Sequence, residues 1–262
     1  MLFQITTFAV WAFTATAGAA FIITKPTPDW EVVDIHPTSN KTPRQTNEAV
    51  LKRRINQAPE SLTIAIINNQ GGPISTSHAS NVGGPSPIWG DNGPGTISSG
   101  GAAALVVPTG WAGNIAIYEA PVNGSKPAPA TDSSLIEASF VVPDGYDTAV
   151  ADIDVSYVNG FSNAITCACS NIVVTGCSLD LWDMNVCPTN DDNGGACANP
   201  LRPNLNATIA TTFFAPCQGA AYTFPHDDGA NSWGECQSGE ITCCVGTACF
   251  SNPKQSSSIQ RR

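Results

Sequence analysis

Positive charge is scarce in this sequence: eleven Lys and Arg stand against twenty-one Asp and Glu, with three His. Beyond Arg54 the imbalance grows, because five basic side chains there face seventeen acidic ones, a net charge of −12. Nucleic-acid binding needs Lys and Arg to neutralise phosphates, and adhesion to an anionic membrane needs a polybasic segment, so both partner classes are disfavoured. Carbohydrate, cationic ligands and protein surfaces, including a basic protein partner, remain open. Cysteine is missing from the first 166 residues, so no disulfide staples that half internally. There is no Gly-rich phosphate loop, no His-Glu-x-x-His and no Gly-x-Ser-x-Gly, hence no signature of a cofactor, a metal centre or a serine nucleophile elbow. No repeat of 20 to 50 residues is present, and the spacing of apolar runs leaves no room for βαβ units.

What is present begins with an apolar, uncharged stretch, Met1 to Ala20, closing on Ala17-Gly18-Ala19-Ala20. It reads as a secretory signal cleaved near residue 20, too short and Thr-interrupted for a membrane span. Residues 21–54 carry Pro26, Pro28, Pro37 and Pro43 and end in Lys52-Arg53-Arg54. That pattern suits a propeptide removed at a dibasic site, leaving a mature, secreted chain from Ile55.

All ten cysteines lie between Cys167 and Cys249. An even number in a secreted chain predicts five disulfides of open connectivity, and reduction is expected to loosen the second half first. Zinc at Cys167-Ala168-Cys169 or Cys243-Cys244 is the alternative.

The segments 62–67, 102–107, 115–118, 135–142 and 149–158 have strand length and β-branched content, separated by Gly, Pro, Ser and Asn clusters. They predict a mainly β chain, a sandwich or barrel over 55–161 followed by a disulfide-rich, loop-rich lobe over 162–262. A short helix ended by its proline is expected over 207–216.

Alternation in Leu135–Phe140 puts Glu137 and Ser139 on one face, and in Asp152–Tyr157 it puts Asp152, Asp154 and Ser156 together. Pro143-Asp144-Gly145 supplies turn chemistry between the two. If the strands pair, Glu137 meets Asp152 or Asp154, an arrangement for paired-carboxylate work on a sugar; solvated acids on an open sheet face are the alternative. Asp227-Asp228, beside His226, is a third acidic point or simply a turn. Trp89, Trp111, Trp182 and Trp233 can stack on sugar rings or fill the core. Asn123 and Asn206 open glycosylation acceptors.

The segment Asp154-Val155-Ser156-Tyr157-Val158-Asn159-Gly160-Phe161 resembles the Asp-Ile-Ser-Leu-Val-Asp-Gly-Phe type element of the thaumatin-like family. In the family's order follow likenesses at Thr63 to Asn69, at Pro108 to Gly113 (Pro-x-Gly-Trp-x-Gly), at Ser134 to Phe140, and at Cys217 to Cys236 enclosing Tyr222 and Asp227-Asp228. The resemblance implies a flattened antiparallel β-sandwich, a disulfide-rich lobe, and an acidic cleft between them that binds β-1,3-glucan, with at most weak hydrolysis, in a defence- or wall-related role. It places the cleft acids on Glu137, Asp154 and the Asp227-Asp228 pair. Two positions depart from the family: Asn159 stands for an Asp and Asn114 for the Arg. Neither can ionise, so the cleft implied is less polarised but still able to hydrogen-bond sugar hydroxyls.

Overall fold

A computed structural model describes residues 59–90, 95–119, 132–189 and 195–256. The expected signal segment, the propeptide with Lys52-Arg53-Arg54, and Asn123 lie outside the described residues. All that is described falls within one compact unit, Arg44–Arg262.

The chain is mainly β, in two five-stranded sheets and a short ribbon. The strands of the first half are β1 (Ser61–Asn68), β2 (Ile74–Ser80), β3 (Gly95–Ile97), β4 (Ala102–Pro108), β5 (Trp111–Glu119), β6 (Ser134–Val141) and β7 (Val150–Ser156). The second half adds β8 (Gly160–Phe161), β9 (Ile165–Cys169), β10 (Ile172–Cys177), β11 (Cys197–Ala198) and β12 (Glu240–Val245), with one helical turn, α1 (Leu181–Met184). One sheet runs β10-β9-β12-β1-β4, the other β3-β2-β5-β6-β7, and β8 pairs with β11. Pairing is antiparallel throughout except between β1 and β12. No helix among the described residues is long and apolar enough to cross a membrane.

Alternation drives the strands, as in β1, where Leu62, Ile64 and Ile66 turn inward and Thr63 and Ala65 are half-buried. These side chains join Leu105 and Val107 of β4, Ile115 and Ile117 of β5, Ile136 and Phe140 of β6, and Ile153 of β7 in one continuous buried cluster. Each such side chain contributes roughly 1.5–3 kcal/mol on burial, and packing of this kind is what holds the cysteine-free sheet. The turn Thr109-Gly110 carries the chain from β4 in one sheet to β5 in the other. Gly110 takes φ +92°, a conformation open to glycine, and its N–H donates to Phe140 O at 2.7 Å.

All ten cysteines are paired: Cys167–Cys243, Cys169–Cys236, Cys177–Cys217, Cys187–Cys197 and Cys244–Cys249. The boundary expected near 162 falls between β8 and β9. Strands from both sides of it share a sheet, since β12 lies directly against β1, and the same core. The helix expected over 207–216 does not form. Residues 212–214 make a turn and Ala215–Cys217 a 3-10 turn with Pro216 inside it. Thr208, Thr211 and Thr212 are weak helix formers, and Phe213 and Phe214 are both fully buried as sequence neighbours, in ring contact at 5.0 Å.

Candidate functional site

The register of β5, β6 and β7 builds the site. Asn114 pairs with Glu137, and Glu137 pairs with Asp154, so three polar side chains form one row across three strands. A second row, two residues along, runs Ala112, Ser139, Asp152. With strands spaced about 4.8 Å apart, each row spans roughly 10 Å of backbone. The two rows line a cavity of about 260 Å³, closed at one side by Asn81, whose N–H donates to Ala112 O at 2.8 Å. Gly113 also lines it, and a Cβ there would run into Ala79 O and the Trp111 ring. That ring is fully buried and donates from Nε1 to Ser80 Oγ at 2.8 Å, locking β5 onto β2.

Asp154 lies on the edge strand, yet it is buried, because the segment from Ser232 to Gln237 runs along that edge. Ser232 N–H donates to Asp154 Oδ1 at 2.9 Å and its hydroxyl to Ile153 O; Gly234 N–H donates to Ala151 O at 3.1 Å. A free strand edge invites foreign pairing, and this cover removes it. Burial pushes the Asp154 carboxyl up to about 7; the charges of Asp152, Glu137 and Glu235 add to that, and the Ser232 N–H opposes it. Burial also raises Asp152, whose Oδ1 has no hydrogen-bond partner. Glu137 stands exposed beside them.

Tyr222 continues this surface past β7 through a bridge to Ser156. Its phenol is raised by burial and by Asp154, Asp228 and Asp152 nearby, against a hydrogen bond of 3.1 Å from Asn231 Nδ2. Asp228 lies close enough to act on the Tyr222 phenol but does not line the cavity. Asp227 points the other way. It is buried, and its carboxylate accepts from Gly219 N, Thr223 N and Thr223 Oγ1, the last at 2.7 Å, which makes it the tie of its own loop. Asn159 lies beyond β7, where its carbonyl accepts from Asn199 N at 3.1 Å, and its side chain is not part of the cavity wall.

Asn114, Glu137, Asp152 and Asp154 are thus brought together, whereas Asn159 and Asp227 are not. Sequence reasoning missed Asn81 and Ser232, which arrive from distant loops without a local signal. His226 is exposed. A larger cavity, about 410 Å³, is bounded by Glu119, Asp180 and Trp182, but Asp180 is engaged in capping α1 by accepting from Trp182 N at 3.0 Å. The smaller cavity is the stronger candidate because three carboxylates converge on it. Such a wall accepts hydrogen bonds from hydroxyl or ammonium donors, while the carboxamides of Asn81 and Asn114 both donate and accept. Among the described residues no cluster of three or more His, Cys, Asp and Glu has a metal-holding arrangement. No protein-family model matches the chain, and no curated protein matches it.

Proposed function

We propose that this is a secreted thaumatin-like protein that binds β-1,3-glucan or a related wall polysaccharide through the cleft on β5, β6 and β7. The observation that carries this reading is the cross-strand row Asn114, Glu137, Asp154, three sugar-bonding side chains at positions the family resemblance singles out. Five disulfides suit an oxidising, extracellular compartment, and two sheets with a common core suit the β-sandwich that the family implies. The test is co-sedimentation with insoluble β-1,3-glucan. The protein should pellet with the glucan, and Glu137→Gln with Asn114→Ala should weaken retention; a protein that stays in the supernatant refutes the reading.

A weak endo-β-1,3-glucanase is favoured by one observation, the carboxyl of Asp154 held near 7 directly opposite Glu137. A proton retained at neutral pH is what a general acid needs, so Asp154 is the donor to the leaving oxygen and Glu137 the base or nucleophile. Direct cross-strand opposition sets the Cβ atoms about 4.5–5.5 Å apart. Reducing ends released from soluble β-1,3-glucan should fall to background in both Asp154→Asn and Glu137→Gln; release that persists in either variant sinks the catalytic reading.

A further inference from the structure

Two large aromatic side chains stand exposed, one in the turn before β7 and one in the segment that covers the β7 edge. Tyr146, in the turn between β6 and β7, is 52% exposed and Trp233 is 45% exposed, and their rings meet edge to face at 5.8 Å. Exposed aromatics in mutual contact mark a recognition surface more than isolated apolar residues do. Backbone hydrogen bonds fix where Trp233 stands. Ser232, before it, donates to Asp154 and Gly234, after it, donates to Ala151 O, so Trp233 is carried level with Asp152. The aromatic pair is thus anchored at the edge of β7, the strand that brings Asp152 and Asp154 to the cavity.

Negative charge in the cavity is not balanced from within. Glu137, Asp152 and Asp154 line it, no lining residue among those described is Lys or Arg, and Glu235 adds its charge at Asp154. Asp152 Oδ1 is buried without a partner, and Asp154, 9% exposed, accepts one hydrogen bond among the described residues, from Ser232 N–H. The hydroxyls of a neutral glucan can satisfy these oxygens, but they bring no charge to offset the neighbouring carboxylates that help hold a proton on Asp154. An ammonium brings three donors and a compensating charge to the same place.

We propose that the cleft takes a polysaccharide chain bearing free amines, its ammonium groups against Glu137, Asp152 and Asp154 and an adjoining pyranose face on Trp233, with Tyr146 holding the indole upright. This deepens, and rests on, the polysaccharide reading of the cleft. Trp233 supplies the part of recognition that charge cannot, because a sugar ring presents a C–H face to stack and a simple polycation does not.

Affinity is measured on the full protein for four probes: a β-1,4-linked glucosamine polymer, its fully N-acetylated counterpart, soluble β-1,3-glucan, and polylysine. The glucosamine polymer should bind about tenfold or more tightly than the acetylated form, and its binding should weaken as salt rises. Trp233→Ala and Asp152→Asn should each weaken that binding by about tenfold, while Trp233→Ala leaves polylysine unchanged. Should Trp233→Ala fail to fold, Tyr146→Ala and Trp233→Phe carry the same comparison. Equal binding of the amine and acetylated polymers, or a Trp233→Ala protein that binds the amine polymer like its parent, overturns the proposal. Glucan binding with no preference for amines overturns it while leaving the cleft's polysaccharide role intact; binding to none of the sugars overturns both.

Discussion

Asp154 is held in a position that costs the fold something at neutral pH. Burial and the neighbouring acids push its folded carboxyl up to about 7 from the ordinary aspartate value of about 3.8, so between about pH 4 and pH 7 the native chain holds a proton that the unfolded chain has lost. Stability contributed by the protonated form is therefore complete below pH 4 and lost as pH rises through 7. Asp154→Asn keeps an oxygen to accept the Ser232 N–H and removes the charge. It should match the parent's melting temperature at pH 4 and exceed its stability by roughly 2 kcal/mol at pH 8, with a smaller slope remaining from Asp152. Asp227 is the converse case. Losing its carboxylate strands two backbone N–H groups and a hydroxyl, so Asp227→Ala should cost about 2–4 kcal/mol in denaturant unfolding and leave polysaccharide affinity per folded molecule unchanged. Alternation in the sequence was enough to put Glu137 with Ser139, and Asp152 with Asp154, on one face of their own strands, and the β6–β7 register joins the two faces. It could not tell Asp154 from Asp227 as site and scaffold, because Ser232 covers Asp154 from 78 residues away and Asp227 turns inward within its own loop.

Strands were legible where one face is apolar and the other not. In β1, β4, β6 and β7 apolar Ile, Leu, Val and Phe set among small or polar residues mark the strands, and all the residues expected there are strand residues except 142, at the end of β6, and 149, 157 and 158, which flank β7. Strand β2, Ile-Ser-Thr-Ser-His-Ala-Ser, is too polar to stand out, and β9, Ile-Thr-Cys-Ala-Cys, reads as a disulfide loop until its neighbours on both sides are known. Cross-linking obeys a long-range logic that no spacing reveals. Cys167–Cys243 joins directly opposed residues of β9 and β12 and spans 76 residues, whereas Cys244–Cys249 spans 5. By loop entropy the first stabilises by about 4.5 kcal/mol and the second by about 2. Cys167→Ala with Cys243→Ala should lower the denaturant midpoint about twice as far as Cys244→Ala with Cys249→Ala; equal shifts would count against an entropic origin.

The whole molecule is less divisible than the distribution of its cysteines suggests. Every disulfide lies after residue 166, which by itself predicts a second half that loosens first on reduction. Yet β12 is hydrogen-bonded between β9 and β1, β1 carries β4 on its other edge, and apolar side chains of β1 and β4 share one core with β5, β6 and β7. Loosening β9, β10 and β12 strips an edge from β1 and opens that core to water. Cooperative loss follows when the interface is part of the core itself and not a polar seam between lobes. Hydrogen exchange in rising denaturant should then show amides of β5 and β6 losing protection at the same concentration as amides of β9 and β12. Reduction should shift both midpoints downward together. Protection surviving in β5 and β6 after β9 and β12 have exchanged would establish two separable units, with the acidic cleft on the one that needs no disulfide.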